Sequence, residues 1–229
     1  MNVIDIIIII VLGFGFVLGF FRGFTKELVN FLGLISILIL SFILKNPISV
    51  FFYKNLPFFR FGGIFKDITV LNIILYEVVA FILVFAVLYV LFKILLLATK
   101  IFEKILKMTI ILGIPSKILG GLLGIVENWV YIFIVLYLLN LPMFNIRVIN
   151  NSKVANIIYN HTPVLHIVCD KTLSVVNEIN DLKEEYKTTT NTNEFNKRAL
   201  NTMIDKKFIT KENAQYLIDK GKIKGVKIN

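Results

Sequence analysis

Hydrophobic residues in this chain are gathered into four long runs, Val3 to Phe21, Leu28 to Leu44, Val70 to Leu97 and Ile118 to Leu139. A helix rising 1.5 Å per residue needs about 20 mostly apolar residues to cross a hydrocarbon core. The pattern therefore predicts an all-α, polytopic membrane protein with four transmembrane helices. The second run is the shortest, and only Arg22 to Glu27 separates it from the first, so the two are expected to form a tight antiparallel hairpin. The third is long enough to tilt. The opening run has Asp5 where a signal peptide would be basic, and it ends in Phe20-Phe21-Arg22-Gly23 without a small-residue cleavage site, so it is read as a retained anchor.

Outside the runs the pattern changes. Pro47 to Asp67 interleaves Phe51, Phe52, Tyr53, Phe58, Phe59, Phe61 and Phe65 with Lys54, Arg60 and Lys66, the mixture of rings and cations that an interfacial loop needs. Lys100 to Met108 sets Ile101, Phe102, Ile105 and Leu106 against Lys100, Glu103, Lys104 and Lys107, which predicts an amphipathic helix on the inner face. Lys153 to Glu185 carries apolar residues at three and four spacing, interrupted by Pro163. Lys187 to Asn193 reads as a linker, Glu194 to Lys207 as a helix, Thr210 as the N-cap of a second helix over Lys211 to Lys220, and Gly221 as its C-cap. This helical hairpin is too small to bury much core alone and is expected to dock on something. The organisation expected is a membrane domain over 1–144, a helical juxtamembrane segment over 145–186, a linker over 187–193 and a hairpin tail over 194–229.

Composition sharpens the membrane reading. Of 229 residues 57% are apolar and 17% charged, with a mean hydropathy of +0.80, against about 45–50% apolar and about 25% charged in soluble domains. The net charge of +10 divides evenly, +5 over 1–144 and +5 over 145–229, and only the second part is polar enough for water. Lys and Arg counts tie between the two sides of the spans. No Lys or Arg precedes the first span, while Arg22 and Lys26 follow it, which favours both termini outside the cytoplasm. The tail is only mildly basic and shows no recognition helix, so no nucleic-acid partner is expected. The expected partners are the lipid bilayer and a membrane or envelope protein, a second copy of the chain included. Cys169, His161 and His166 are too few for a disulfide framework or a Cys/His zinc cage. No nucleophile and base stand together, so neither catalysis nor a cofactor is expected.

Two sets of residues stand out inside the runs. Gly15, Gly19 and Gly23 share one face of the first helix, and Gly120 and Gly124 one face of the fourth. Lipid supplies no hydrophobic force between helices, so stripes of small residues that let backbones approach are a main source of packing energy. Asp5, Glu77, Lys93 and Glu127 are ionisable residues within the spans. Asp5 lies near a membrane end and Lys93 is close enough to the inner face to snorkel. Glu77 and Glu127 are the candidate intramembrane polar site, since a carboxylate at depth costs at least about 2.5 kcal/mol unless protonated, paired or wet. Asn128 and Asn140 are candidate partners.

The motif Gly19-Phe20-Phe21-Arg22-Gly23-Phe24, preceded by Asp5 and followed by Glu27-Leu28 and Gly33, occurs with a second one, Leu112-Gly113-Ile114-Pro115-Ser116-Lys117-Ile118-Leu119-Gly120-Gly121-Leu122-Leu123-Gly124. Together, over roughly residues 1 to 140, these resemble the CvpA or colicin V production proteins of bacterial inner membranes. The motif residues carried by the resemblance are Asp5, Arg22, Gly23, Pro115 and Gly120. It implies a four-helix inner-membrane protein connected with colicin V production and the cell envelope. Some relatives carry an extracytoplasmic serine protease after the fourth span, which supports an outside C-terminus. The tail here is too short for that protease and has no Ser/His/Asp set. Glu127 departs from the small or basic residue expected at its position. The leading expectation is a non-enzymatic scaffold or accessory factor in toxin production or export and envelope maintenance. The rival is a small oligomeric conductor of ions or solutes using Glu77 and Glu127.

Overall fold

The computed structural model describes residues 2–98, 113–142, 151–189 and 191–227. The amphipathic helix expected over Lys100 to Met108 lies outside the described residues. Within them the chain is helical and without strands: α1 (Val3–Arg22), α2 (Phe24–Asn55), a 3-10 turn (Gly63–Phe65), α3 (Leu71–Ala98), α4 (Gly113–Leu139), α5 (Lys153–Asn160), α6 (Pro163–Thr189), α7 (Thr192–Asp205) and α8 (Lys211–Asp219). The first four are long and apolar enough to cross a membrane. Only 22% of the apolar stretch in α1 and in α3 is buried within the protein. Ile7, Phe14, Phe21, Leu91 and Leu97 are among the exposed side chains, and such a surface is stable only where lipid covers it.

Two sequence expectations are corrected. The link between the first two spans is one residue. Gly23, at φ 78°, ends α1 by donating its N–H to the Gly19 carbonyl at 2.9 Å, and α2 starts at Phe24. Only glycine takes that conformation without strain. The second span is also far longer than Leu28 to Leu44, because α2 runs through Pro47 to Asn55. The interfacial loop expected from Pro47 therefore begins only at Leu56. Proline in a helix interior costs about 3 kcal/mol, and here Lys45, Ser49 and Tyr53, all buried on the helix around it, supply the compensating contacts.

Local signals explain the remaining boundaries. Pro115 sits in the first turn of α4 and Pro163 opens α6, positions where a missing N–H leaves no helical bond unmade. Ser152, Asn191 and Thr210 each accept a hydrogen bond from a first-turn N–H as N-caps. Within 187–193, Lys187 to Thr189 close α6 and Asn191 caps α7.

The chain forms two compact units. One comprises Met1–Ile43, Ile82–Leu139 and Arg147–Thr162; the other comprises Leu44–Phe81, Asn140–Ile146 and Pro163–Asn229. Helices α2 and α3 each contribute to both. In the first unit α1 lies along α4, and Phe133 stacks on Tyr159 of α5 with centroids 6.1 Å apart. In the second, Leu173, Val176 and Ile179 of α6 and Ala199, Leu200 and Met203 of α7 are buried, as are Ala214 and Leu217 of α8.

Candidate functional site

The first unit is organised around a backbone seam. A methyl group placed on Gly15 would lie within 3 Å of the Gly124 carbonyl and of Asn128. One on Gly19 would strike the Gly120 carbonyl, one on Gly120 would meet Gly19 and Gly23, and one on Gly124 would meet Gly15. The five glycines thus face one another as two interdigitated stripes. Gly121 against the Phe16 ring and Gly33 against the Phe92 ring are further close approaches that spacing alone did not single out.

Each end of the seam is tied by a polar clasp. Asp5, buried at 4% exposure, accepts from its own N-cap, Asn2, at 2.9 Å through one oxygen. Its other oxygen accepts from Ser152 Oγ at 2.5 Å and from the Val154 N–H at 3.1 Å. One carboxylate therefore caps both α1 and α5, satisfying N–H groups that helix starts leave bare. At the opposite end of α1, the Ser116 hydroxyl of α4 accepts from the Phe24 N–H at 3.1 Å, capping α2 across the corner. Neither Ser116 nor Ser152 is distinctive in sequence, because a cap is made by whichever hydroxyl the tertiary fold delivers.

Beside this corner the Arg22 guanidinium reaches Glu27 at 3.4 Å and Glu127 at 3.8 Å. Glu127 also accepts from the Tyr131 hydroxyl at 3.3 Å through Oε1, while its Oε2 is buried without a hydrogen-bond partner. Asn128, expected as a partner for a carboxylate, instead donates to the Gly124 carbonyl at 3.0 Å within its own helix. Lys93 donates to Asn30 of α2 at 3.4 Å and lies over the Tyr89 and Phe92 rings.

Glu77 belongs to the second unit. It pairs with Lys45 and accepts from Ser49 Oγ at 2.5 Å, all three side chains being buried. Lys45 also lies over the Phe208 ring, 5.6 Å from its centroid. Glu77 and Glu127 thus sit in different units, each with partners of its own. The hairpin tail docks in this second unit. Lys222 Nζ donates to the carbonyls of Tyr53, Lys54 and Leu56 at 2.9, 2.7 and 3.0 Å, capping the C-terminal end of α2. Asn196 accepts from the Val70 N–H at 3.3 Å where α3 begins, and Asn140 accepts through its carbonyl from Asn180 at 2.7 Å. On the tail surface Arg198 meets Glu185 at 2.8 Å and holds that carboxyl below the usual range.

Residues 4–163 match the family described as colicin V production protein. The chain belongs to that family. An uncharacterized transmembrane protein of Bacillus subtilis (strain 168), YshB, is 32% identical, over 71% of this chain and 92% of the relative. No solved structure matches the chain. The glycine seam, the Asp5 and Ser116 clasps and both carboxylate clusters all fall inside the segment matched to the colicin V production family, whereas the docked tail from α6 onwards lies almost wholly beyond it. The motif residues Asp5, Arg22, Gly23, Pro115 and Gly120 all lie in the first unit. There they cap, pair or pack; Pro115 does no more than open a helix.

Proposed function

We propose that this membrane protein works by interaction, without chemistry of its own, as a scaffold or accessory factor in colicin V or toxin production or export and in envelope maintenance. The observation that carries the reading is how the buried polar groups are used. Both Glu77 oxygens are engaged by Lys45 and Ser49, and Asp5 is spent on capping two helices. Groups committed to holding helices together suit a rigid platform, since in lipid every polar group must be satisfied internally. In this reading the protein lies in the bacterial inner membrane with both termini outside the cytoplasm, and a membrane or envelope protein, or a second copy, is its partner.

The rival conductor is favoured by one observation, the buried Glu127 Oε2 that lacks a hydrogen-bond partner beside Glu27 and a single guanidinium. One assay separates the two: secreted colicin V from a producing strain whose own family member has been deleted, complemented by variants at matched membrane levels. A scaffold retains output with Glu127→Gln and loses it with Gly19→Val or with residues 187–229 removed. Loss with Glu127→Gln alone, at normal levels and thermal stability, sinks the scaffold and supports the conductor.

A further inference from the structure

The second unit holds a cleft of about 660 Å³, within the size range of small-ligand sites. Its walls come from the segment after α2, the turn before α3, the start of α7 and the turn after α8. Three cations line it, Arg60, Lys222 and Lys224, against one acid, Asp67. Lys222 is held in place by the three carbonyls it caps, so its charge is fixed at the wall. Arg60 and Lys224 are exposed and offer further donors to the cleft. Neutral donors are present as well, in Asn193 and in Thr69, whose hydroxyl is buried and makes no hydrogen bond.

The position in the chain adds the second half of the argument. The cleft lies at the junction of two spans, between the last turn of α2 and the first turn of α3. That junction joins the second and third apolar helices, on the side where the chain has left the bilayer between two crossings. Phe58 and Phe59 line the same cleft, and Phe59 is 61% exposed. An exposed ring next to a cluster of cations suits a ligand with an anionic head and an apolar continuation, since rings and cations together favour the headgroup level.

We propose that this cleft binds the phosphate-bearing headgroup of an anionic phospholipid, with Arg60 and Lys224 on the phosphate, the positive field of Lys222 behind them, and the Phe58 and Phe59 rings beside the start of the acyl chains. A free phosphate shares the charge chemistry but would use neither the rings nor most of the volume.

The test uses the full chain in a neutral detergent, titrated with phosphatidylglycerol, phosphatidylcholine or inorganic phosphate, and read by native mass spectrometry and thermal shift. Phosphatidylglycerol should bind at least about tenfold more tightly than either alternative. The double variant Arg60→Ala/Lys224→Ala should lose at least about tenfold of that affinity, as expected when a charge-assisted hydrogen bond is removed. Lys211→Ala, an exposed cation of the same unit outside the cleft, should leave it unchanged. Equal binding of the two lipids by the wild-type chain overturns the proposal, as does undiminished binding in a folded double variant. Inorganic phosphate matching phosphatidylglycerol would assign the cleft to a soluble phosphate instead and overturn the lipid.

Discussion

Lys45 and Glu77 are 6% and 5% exposed, so each neutralises a charge that the other would leave stranded. Removing one member of a buried pair is far more costly than replacing both with apolar residues. Lys45→Met should therefore destabilise the protein by about 3 kcal/mol, and Lys45→Met/Glu77→Leu should recover most of that loss. Thermal unfolding in detergent, followed by circular dichroism, checks both. The Glu185–Arg198 bridge behaves differently because both side chains face water. Arg198 lowers the folded-state pKa of Glu185, so the folded chain binds this proton less readily than the unfolded one. Its contribution is present above the ordinary carboxylate range and is lost as pH falls through the lowered value. Glu185→Gln should flatten that acid-side decline slightly, and high salt should erase the difference by screening. Melting temperatures of the variant and the parent across that pH window give the comparison.

At the scale of whole elements, the α1/α4 pairing depends on backbone approach. Gly13 and Gly19 lie on the same helix and have similar sequence surroundings, yet a methyl on Gly13 meets nothing within 4 Å while one on Gly19 collides with the Gly120 carbonyl. Gly13→Ala should be neutral or stabilising by up to about 1 kcal/mol through helix propensity. Gly19→Val should cost at least the ~1–3 kcal/mol of overpacking, because a carbonyl on a rigid helix cannot move aside. Melting temperatures of the two variants side by side test this, and equal tolerance would mean the seam does not hold the pair. The element scale also shows why Pro47 failed as a stop signal. A proline withholds one N–H, whereas Lys45, Ser49 and Tyr53 around it bring burial and an ion pair to the same stretch of α2.

At the scale of the whole molecule, each clasp ties chain ends within its own unit. Asp5 at the start of α1 bonds Ser152 and Val154 beyond α4, and Lys222 in the tail caps the end of α2. Four spans in alternation return a chain to the side of the bilayer on which it began, so the N-terminus and the tail are expected in one compartment. In a Cys169→Ser background, Thr25→Cys and Asn201→Cys should therefore label oppositely with an impermeant thiol reagent on intact cells. Under the proposed orientation only Asn201→Cys labels; the reverse pattern would place the tail in the cytoplasm, and identical labelling would break the four-span alternation.

The four spans, the cap Thr210 and the turn at Gly221 follow from local physics: run length, a hydroxyl side chain at a helix start, and glycine where φ is positive. Those signals are carried by a few adjacent residues, so they can be read in one dimension. The stripe of Gly15, Gly19 and Gly23 could be read as a small-residue face, but nothing in its spacing says that the Gly120 and Gly124 carbonyls stand opposite. Likewise Glu127 could be picked out by its depth, while Arg22 and Glu27 became its neighbours only when α1 packed along α4 and the one-residue turn at Gly23 set the start of α2 at the same corner. Lys45 lies one residue beyond the apolar run that ends at Leu44, and only the tertiary structure shows it on a continuing α2, paired with Glu77. In each case the deciding energy is a contact between residues tens to more than a hundred positions apart. Such contacts depend on where the helices lie in space, and only the tertiary structure decides that.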